Sequence, residues 1–239
     1  MFKDAIRNSI VRVGRGFFRL FFPPRQIPFE STESEKLFPG LYSQDLSIGK
    51  LDRKWGDLTM ERSLLFLCAL AKRGHAPIVE FGTFRGRTTY NLALNTPGEI
   101  TTVDIGHELG QAIDVGVNIE KHEYATHTTG EIFLAAPPEI RNKIKQMRGD
   151  STKLDYTHLY GKIGMIIVDG GHSYEVCKSD SLQALRMVKP GGVIIWDDYG
   201  SFWPGVVQAL DELSATAKLY FLPHENLVVH IAPTKDAKA

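Results

Sequence analysis

From residue 76 onward, short apolar runs rich in β-branched residues alternate with helix-length segments, and this alternation constrains the fold more than any other feature. The runs fall at 76–82, 99–105, 145–149, 163–169 and 192–197. Their nearly continuous apolar character suits strands covered on both faces, as in a parallel sheet flanked by helices. Helices are expected over 60–73, from Thr88 to about Leu94, over 174–188 and over 204–217. Two last runs, 218–222 and 227–231, are separated by a short turn and predict an antiparallel hairpin. The expected class is therefore α/β, with a mostly parallel sheet and a C-terminal antiparallel hairpin. In such sheets ligands gather at the carboxyl ends of the strands.

The first run ends in Ile-Val-Glu-Phe-Gly-Thr-Phe-Arg-Gly-Arg-Thr-Thr, residues 78–89. Gly82 and Gly86 predict a tight turn where a ligand can approach bare backbone, followed by a helix with free amides at its start. The Gly-x-x-x-Gly spacing differs from the Gly-x-Gly-x-x-Gly that cradles a dinucleotide pyrophosphate. Glu80, just ahead of the glycines, sits badly beside phosphates and suits a ligand with a cationic amino-acid end. The combination points to S-adenosylmethionine.

The other strand ends are polar too. Asp104 closes the second strand, where an acid can accept both ribose hydroxyls of an adenosine. Asp150 and Ser151 follow the third and can bond an adenine amino group. The fourth ends in Asp169-Gly170-Gly171-His172, which sets a general-base candidate, His172, behind two open glycines beside Asp169. The fifth ends in Asp197-Asp198. Adjacent carboxylates in a cleft need a cation, a proton or hydrogen bonds. With Asp169 they make an all-oxygen set suited to Mg²⁺ or Mn²⁺.

Lys and Arg total 28 against 28 Asp and Glu, which argues against a nucleic-acid surface over the whole domain. Two cysteines far apart, Cys68 and Cys177, fit a reduced, cytoplasmic protein without a disulfide framework. No apolar stretch is long enough to span a membrane. Residues 1–25 are Arg-rich, with Ile6, Ile10, Val13, Phe17 and Phe21 on one helical face. Such an arm suits peripheral contact with an anionic membrane, or docking onto the domain or a second subunit of a homo-oligomer. Residues 22–57 look irregular, so the expected division is an arm and linker over 1–57 and a ligand-binding domain over 58–239. The long connection 106–144, with His107, His122, Tyr124, His127 and Phe133, is a candidate for substrate contacts.

As an ordered set, the glycine turn, Thr-Val-Asp-Ile, Gly-Asp-Ser, Val-Asp-Gly-Gly-His-Ser-Tyr-Glu and Lys-Pro-Gly-Gly-Val-Ile-Ile-Trp-Asp-Asp-Tyr resemble the S-adenosylmethionine-dependent methyltransferases of Rossmann-like fold. The closer likeness is to a bacterial branch that tailors sugars, polysaccharides and antibiotics. The resemblance covers residues 58–232. It implies that Glu80, Gly82, Thr83, Phe84, Gly86, Thr88, Asp104, Ile105, Asp150, Ser151 and Asp169 surround the cofactor. A looser similarity to catechol-type O-methyltransferases implies a metal on Asp169, Asp197 and Asp198, with His172 where that group has a catalytic Lys. Asp169 is the next candidate for the base. The implied activity is O-methylation of a small-molecule or sugar hydroxyl, with Mg²⁺ as a candidate assistant. The competing readings are an inert Rossmann-like scaffold at a membrane surface and, less favoured, a nicotinamide-dependent oxidoreductase.

Overall fold

All the expected strands form, and they join one eight-stranded sheet in a computed structural model that describes residues 26–50, 61–106 and 128–234. The basic arm at 1–25, and His107, His122, Tyr124 and His127, lie outside the described residues. The elements run β1 (Glu30–Ser31), α1 (Ser34–Leu37), α2 (Glu61–Lys72), β2 (Ile78–Phe81), α3 (Arg87–Asn95) and β3 (Ile100–Asp104). Then come α4 (Glu131–Leu134), α5 (Pro138–Arg141), β4 (Ile144–Arg148), β5 (Ile163–Val168) and α6 (Tyr174–Met187). β6 (Val188–Trp196), α7 (Pro204–Leu213), β7 (Tyr220–Leu222) and β8 (Leu227–Ile231) follow among the described residues. The strand order is β1-β7-β8-β6-β5-β2-β3-β4, with β8 antiparallel to both β6 and β7.

β2 lies between β3 and β5, so the chain winds outward in one direction to β4 and then returns to the other side of β2. That reversal opens a crevice at the carboxyl ends of β2 and β5.

The pleat sorts the side chains. Ile78, Ile100, Met165, Ile167, Val193 and Ile195 pack with Leu64, Leu67 and Leu70 of α2 on one face. Val79, Phe81, Val103, Ile166, Ile194 and Trp196 pack with Cys177, Ala184 and Met187 of α6 and Leu210 of α7 on the other. Both cysteines are buried and unpaired, and burial pushes each thiol up to about 12, so neither is a ready nucleophile.

The stretch expected to be irregular is partly built into the domain. β1 adds a parallel edge strand to β7, with Glu30 opposite Tyr220. Phe38 and Leu41 enter the core, and full burial of a leucine is worth about 2 kcal/mol. The Ser34 and Tyr42 hydroxyls donate to the Glu225 carboxylate in the β7–β8 turn. Long-range pairing of this kind leaves little local signal, which is why composition marked the segment only as a linker. Among the described residues no helix is long and apolar enough to cross a membrane.

Candidate active site

The crevice is a cavity of about 240 Å³ lined by residues from four strand ends. Gly82, Asp104, Ile105, Asp150 and Ser151, all expected near the cofactor, line it, as do Gly170 and Gly171. Phe81, Val103 and Val176 supply apolar wall.

The turn after β2 is held from below. Thr83 and Phe84 donate their backbone N–H groups to one Asp104 carboxylate oxygen, each at 2.9 Å, and Gly106 donates to the other at 2.8 Å. Burial raises the Asp104 carboxyl, and these three amides oppose the rise. They occupy three of the roughly four lone-pair positions of a carboxylate. Asp104 therefore keeps capacity for about one further hydrogen bond, where the sequence suggested both ribose hydroxyls.

Glu80 is corrected more strongly. It continues the Ile78 face of β2 and points under the turn rather than into the cavity, as the two-residue strand period requires. It is 1% exposed, and the Thr89 and Thr102 hydroxyls both donate to its carboxylate, Thr102 at 2.6 Å. Thr83, also buried, hydrogen-bonds through its hydroxyl to that of Thr102 at 2.7 Å. Burial pushes the Glu80 carboxyl up to about 7. Thr88 is buried in the first turn of α3 and does not line the cavity.

The two glycines of the turn meet protein first. A Cβ on Gly82 would lie 1.9 Å from the Asp169 carbonyl oxygen, and its φ is +97°. A Cβ on Gly86, at φ +79°, would lie 2.4 Å from the Phe133 ring. Phe133, expected as a substrate contact, is instead buried against the glycine turn. The end of the long connection is clamped there by Gly130 N–H to the Phe84 carbonyl, Ile132 N–H to the Arg85 carbonyl, and an Arg85–Glu131 ion pair at 2.7 Å.

The β5 and β6 ends bring Asp169, His172 and Asp198 together. Each offers one ligand atom, and these atoms lie within 4.8 Å of one another. His172 Nε2 is 2.7 Å from Asp198 Oδ2. The Trp203 indole stacks on the imidazole, with centroids 3.8 Å apart and planes inclined by 16°. Asp198 holds a left-handed φ of +60°, a costly conformation for a residue with a Cβ and one concentrated at functional sites. Burial, with the Asp197 and Asp198 charges, holds the Asp169 carboxyl well above the usual range.

Asp197 does not join this set. It continues the Val193–Ile195 face of β6, is buried, and accepts the Asp198 backbone N–H at 2.8 Å. The expected all-oxygen metal set thus becomes a mixed one in which His172 takes the place of Asp197.

Two residues escaped the sequence reading. Trp203 precedes Pro204 at the start of α7, and only packing reveals its stack on His172. Asp180 lines the cavity from α6 at 1% exposure. Its signal was present: with Cys177, Ser181 and Ala184 it falls on the buried face of α6, where an acid is out of place.

A family pattern described as a methyltransferase domain matches residues 79–199, just over half of the chain. The chain belongs to that family. It is an S-adenosylmethionine-dependent methyltransferase of Rossmann-like fold. A search of curated proteins finds no match to the methyltransferase. Among solved structures it is similar to the O-methyltransferase NovP, with 17% identity, a TM-score of 0.52, and coverage of 72% of this chain and 80% of that one. It is also similar to the calicheamicin methyltransferase CalS11, with 15% identity, a TM-score of 0.51, and coverage of 71% and 77%. The likeness to both is one of fold. The matched span contains the glycine turn, the cavity lining and the Asp169–His172–Asp198 cluster.

Proposed function

We propose that this methyltransferase transfers the methyl group of S-adenosylmethionine to a hydroxyl oxygen of a small molecule, a sugar being one such acceptor, with His172 as general base. The observation that carries the reading is the 2.7 Å pair between Asp198, after β6, and His172, which lies on a loop whose Gly170, Gly171 and Ser173 line the cavity. A proton acceptor on that loop is what the chemistry requires. NovP, similar in fold, is an O-methyltransferase, which supports an oxygen acceptor.

In the proposed reaction a lone pair of the acceptor oxygen forms the new bond to the methyl carbon. The carbon–sulfur bond breaks, and sulfur keeps its electron pair as a neutral thioether. The hydroxyl proton passes to the imidazole of His172. Asp198 then balances the imidazolium charge, and the Trp203 face adds cation–π stabilisation. Asp169, held toward its protonated form, is the weaker candidate for the base.

As an alternative to the base role of His172, since a metal-bound imidazole does not take the proton, the residues fit a divalent ion. Two carboxylates and an imidazole within reach of one atom are a plausible donor set, and a cation would relieve the crowding that raises Asp169. Mixed nitrogen and oxygen donors suit Mn²⁺ better than Mg²⁺. A bound metal would supply Lewis-acid polarisation of the acceptor oxygen.

Calorimetry with S-adenosylhomocysteine and NAD, with and without Mg²⁺ or Mn²⁺, tests the reading. Micromolar binding of S-adenosylhomocysteine and none of NAD is expected; tight NAD binding without a response to S-adenosylhomocysteine sinks the proposal.

A further inference from the structure

Asp150 was the sequence's candidate for the adenine amino group, but its oxygens are already engaged. Oδ1 accepts from the Thr152 backbone N–H at 3.0 Å and from the Thr152 hydroxyl at 2.6 Å. Oδ2 pairs with Lys153 Nζ at 2.8 Å, and the side chain is 24% exposed. Asp180 has the opposite character. It lines the same cavity, it is 1% exposed, and its Oδ1 has no hydrogen-bond partner. A buried, unpartnered carboxyl oxygen is destabilising, and so calls for an explanation in a ligand or another partner.

The surroundings suit a flat heterocycle. Asp180 lies one helical turn beyond Val176, which lines the cavity wall with Val103, Ile105 and Gly171. Asp104, the ribose candidate, closes another side of the same cavity. The Ser151 side chain, on the loop after β4, favours the charged Asp180 carboxyl and partly opposes the effect of burial.

We propose that Asp180 is the residue by which the cavity reads the adenine ring of the cofactor, its unpartnered oxygen accepting a hydrogen bond from the exocyclic amino group. The inference rests on the cofactor lying in this cavity as proposed above. A protonated carboxyl offers one acceptor and one donor side by side, which matches the amino group and ring nitrogen N1 of adenine. Unsubstituted purine keeps the ring nitrogens but lacks the amino group, so it offers the unpartnered oxygen nothing to accept. Burial pushes the Asp180 carboxyl up to about 7, which keeps the matching protonated form populated near neutral pH.

The test is calorimetry of the full chain with S-adenosylhomocysteine and its analogue in which unsubstituted purine replaces adenine. The wild type should prefer the adenine compound by at least roughly tenfold, the scale of one lost buried hydrogen bond. Asp180→Ala should bind the adenine compound more weakly and lose the preference, whereas Asp180→Asn, whose carboxamide offers the same donor–acceptor pair, should keep it. Asp180→Leu, which fills the space without a polar group, serves as the second deletion should the alanine variant fail to fold. A preference retained at the wild-type ratio in the folded alanine or leucine variant overturns the inference while leaving the cofactor reading intact. A wild type that binds neither compound overturns both.

Discussion

The acids at the β2 and β3 ends and those at the β5 and β6 ends look equivalent in sequence but do opposite things. Glu80 and Asp104 are held by the protein's own donors, two threonine hydroxyls for the first and three backbone amides for the second. They build the glycine turn. Asp169 and Asp198 crowd each other and His172, with the electrostatic cost left standing. An acid held by the protein's own donors stabilises a scaffold, whereas a crowded one is poised to act on a cation or a proton. The difference predicts that changes at the first pair act mainly on folding and changes at the second mainly on turnover.

The largest expected effect is at Gly82. Gly82→Val forces a side chain against the Asp169 backbone at a left-handed φ, where nothing flexible can yield. The variant should lose about 3 kcal/mol or more of stability in denaturant unfolding. A normally stable Gly82→Val that merely fails to bind cofactor would mean that the turn is shaped for the ligand alone.

His172→Ala should reduce turnover at least roughly a hundredfold while S-adenosylhomocysteine affinity stays near normal. Asp198→Asn keeps the shape but weakens the balancing charge, so it should slow turnover by a smaller factor, read in the same assay. Full activity of His172→Ala across pH 6–9 would erase the functional half of the comparison.

Thr89→Val removes one donor to Glu80 and should cost about 1–2 kcal/mol of stability without changing cofactor affinity. Loss of affinity at unchanged stability would return Glu80 to the binding site.

The last effect is a slope. The folded-state pKa of Glu80 is raised to about 7, above the usual carboxylate value, so the native state holds a proton that the unfolded chain releases near pH 4.5. Stability from this group is therefore full below pH 4.5 and is lost as pH rises through about 7. Melting temperatures of the cofactor-free protein should fall across that window, and Glu80→Gln should flatten the fall. An unchanged slope in the glutamine variant would show that Glu80 is not the buried acid responsible.

Much of this was legible from residue order. Strand and helix order follow from apolar period and length, which are local properties, so the sheet and its hairpin were read within a few residues. Gly82, Asp104, Ile105, Asp150 and Ser151 were placed at the cavity because strand ends in such a sheet converge on one edge. The misplacements share a cause. Glu80 and Asp197 were assigned by their position at a strand end, whereas the pleat directs alternate residues to opposite faces. Phe133 was misplaced as a substrate contact and the edge strand β1 was missed because their partners, Gly86 and β7, are distant in sequence.

By itself, the sequence determined the α/β class, the turn after β2, and the polar chemistry available at the carboxyl edge. These depend on composition and period, which each segment carries alone. Only the tertiary structure decided which acids the protein's own donors hold, that Asp198 and Trp203 hold His172 between them, and that Asp180 lies in the cavity with an oxygen unpartnered. Hydrogen-bond satisfaction is a property of the assembled neighbours, and no single segment contains it.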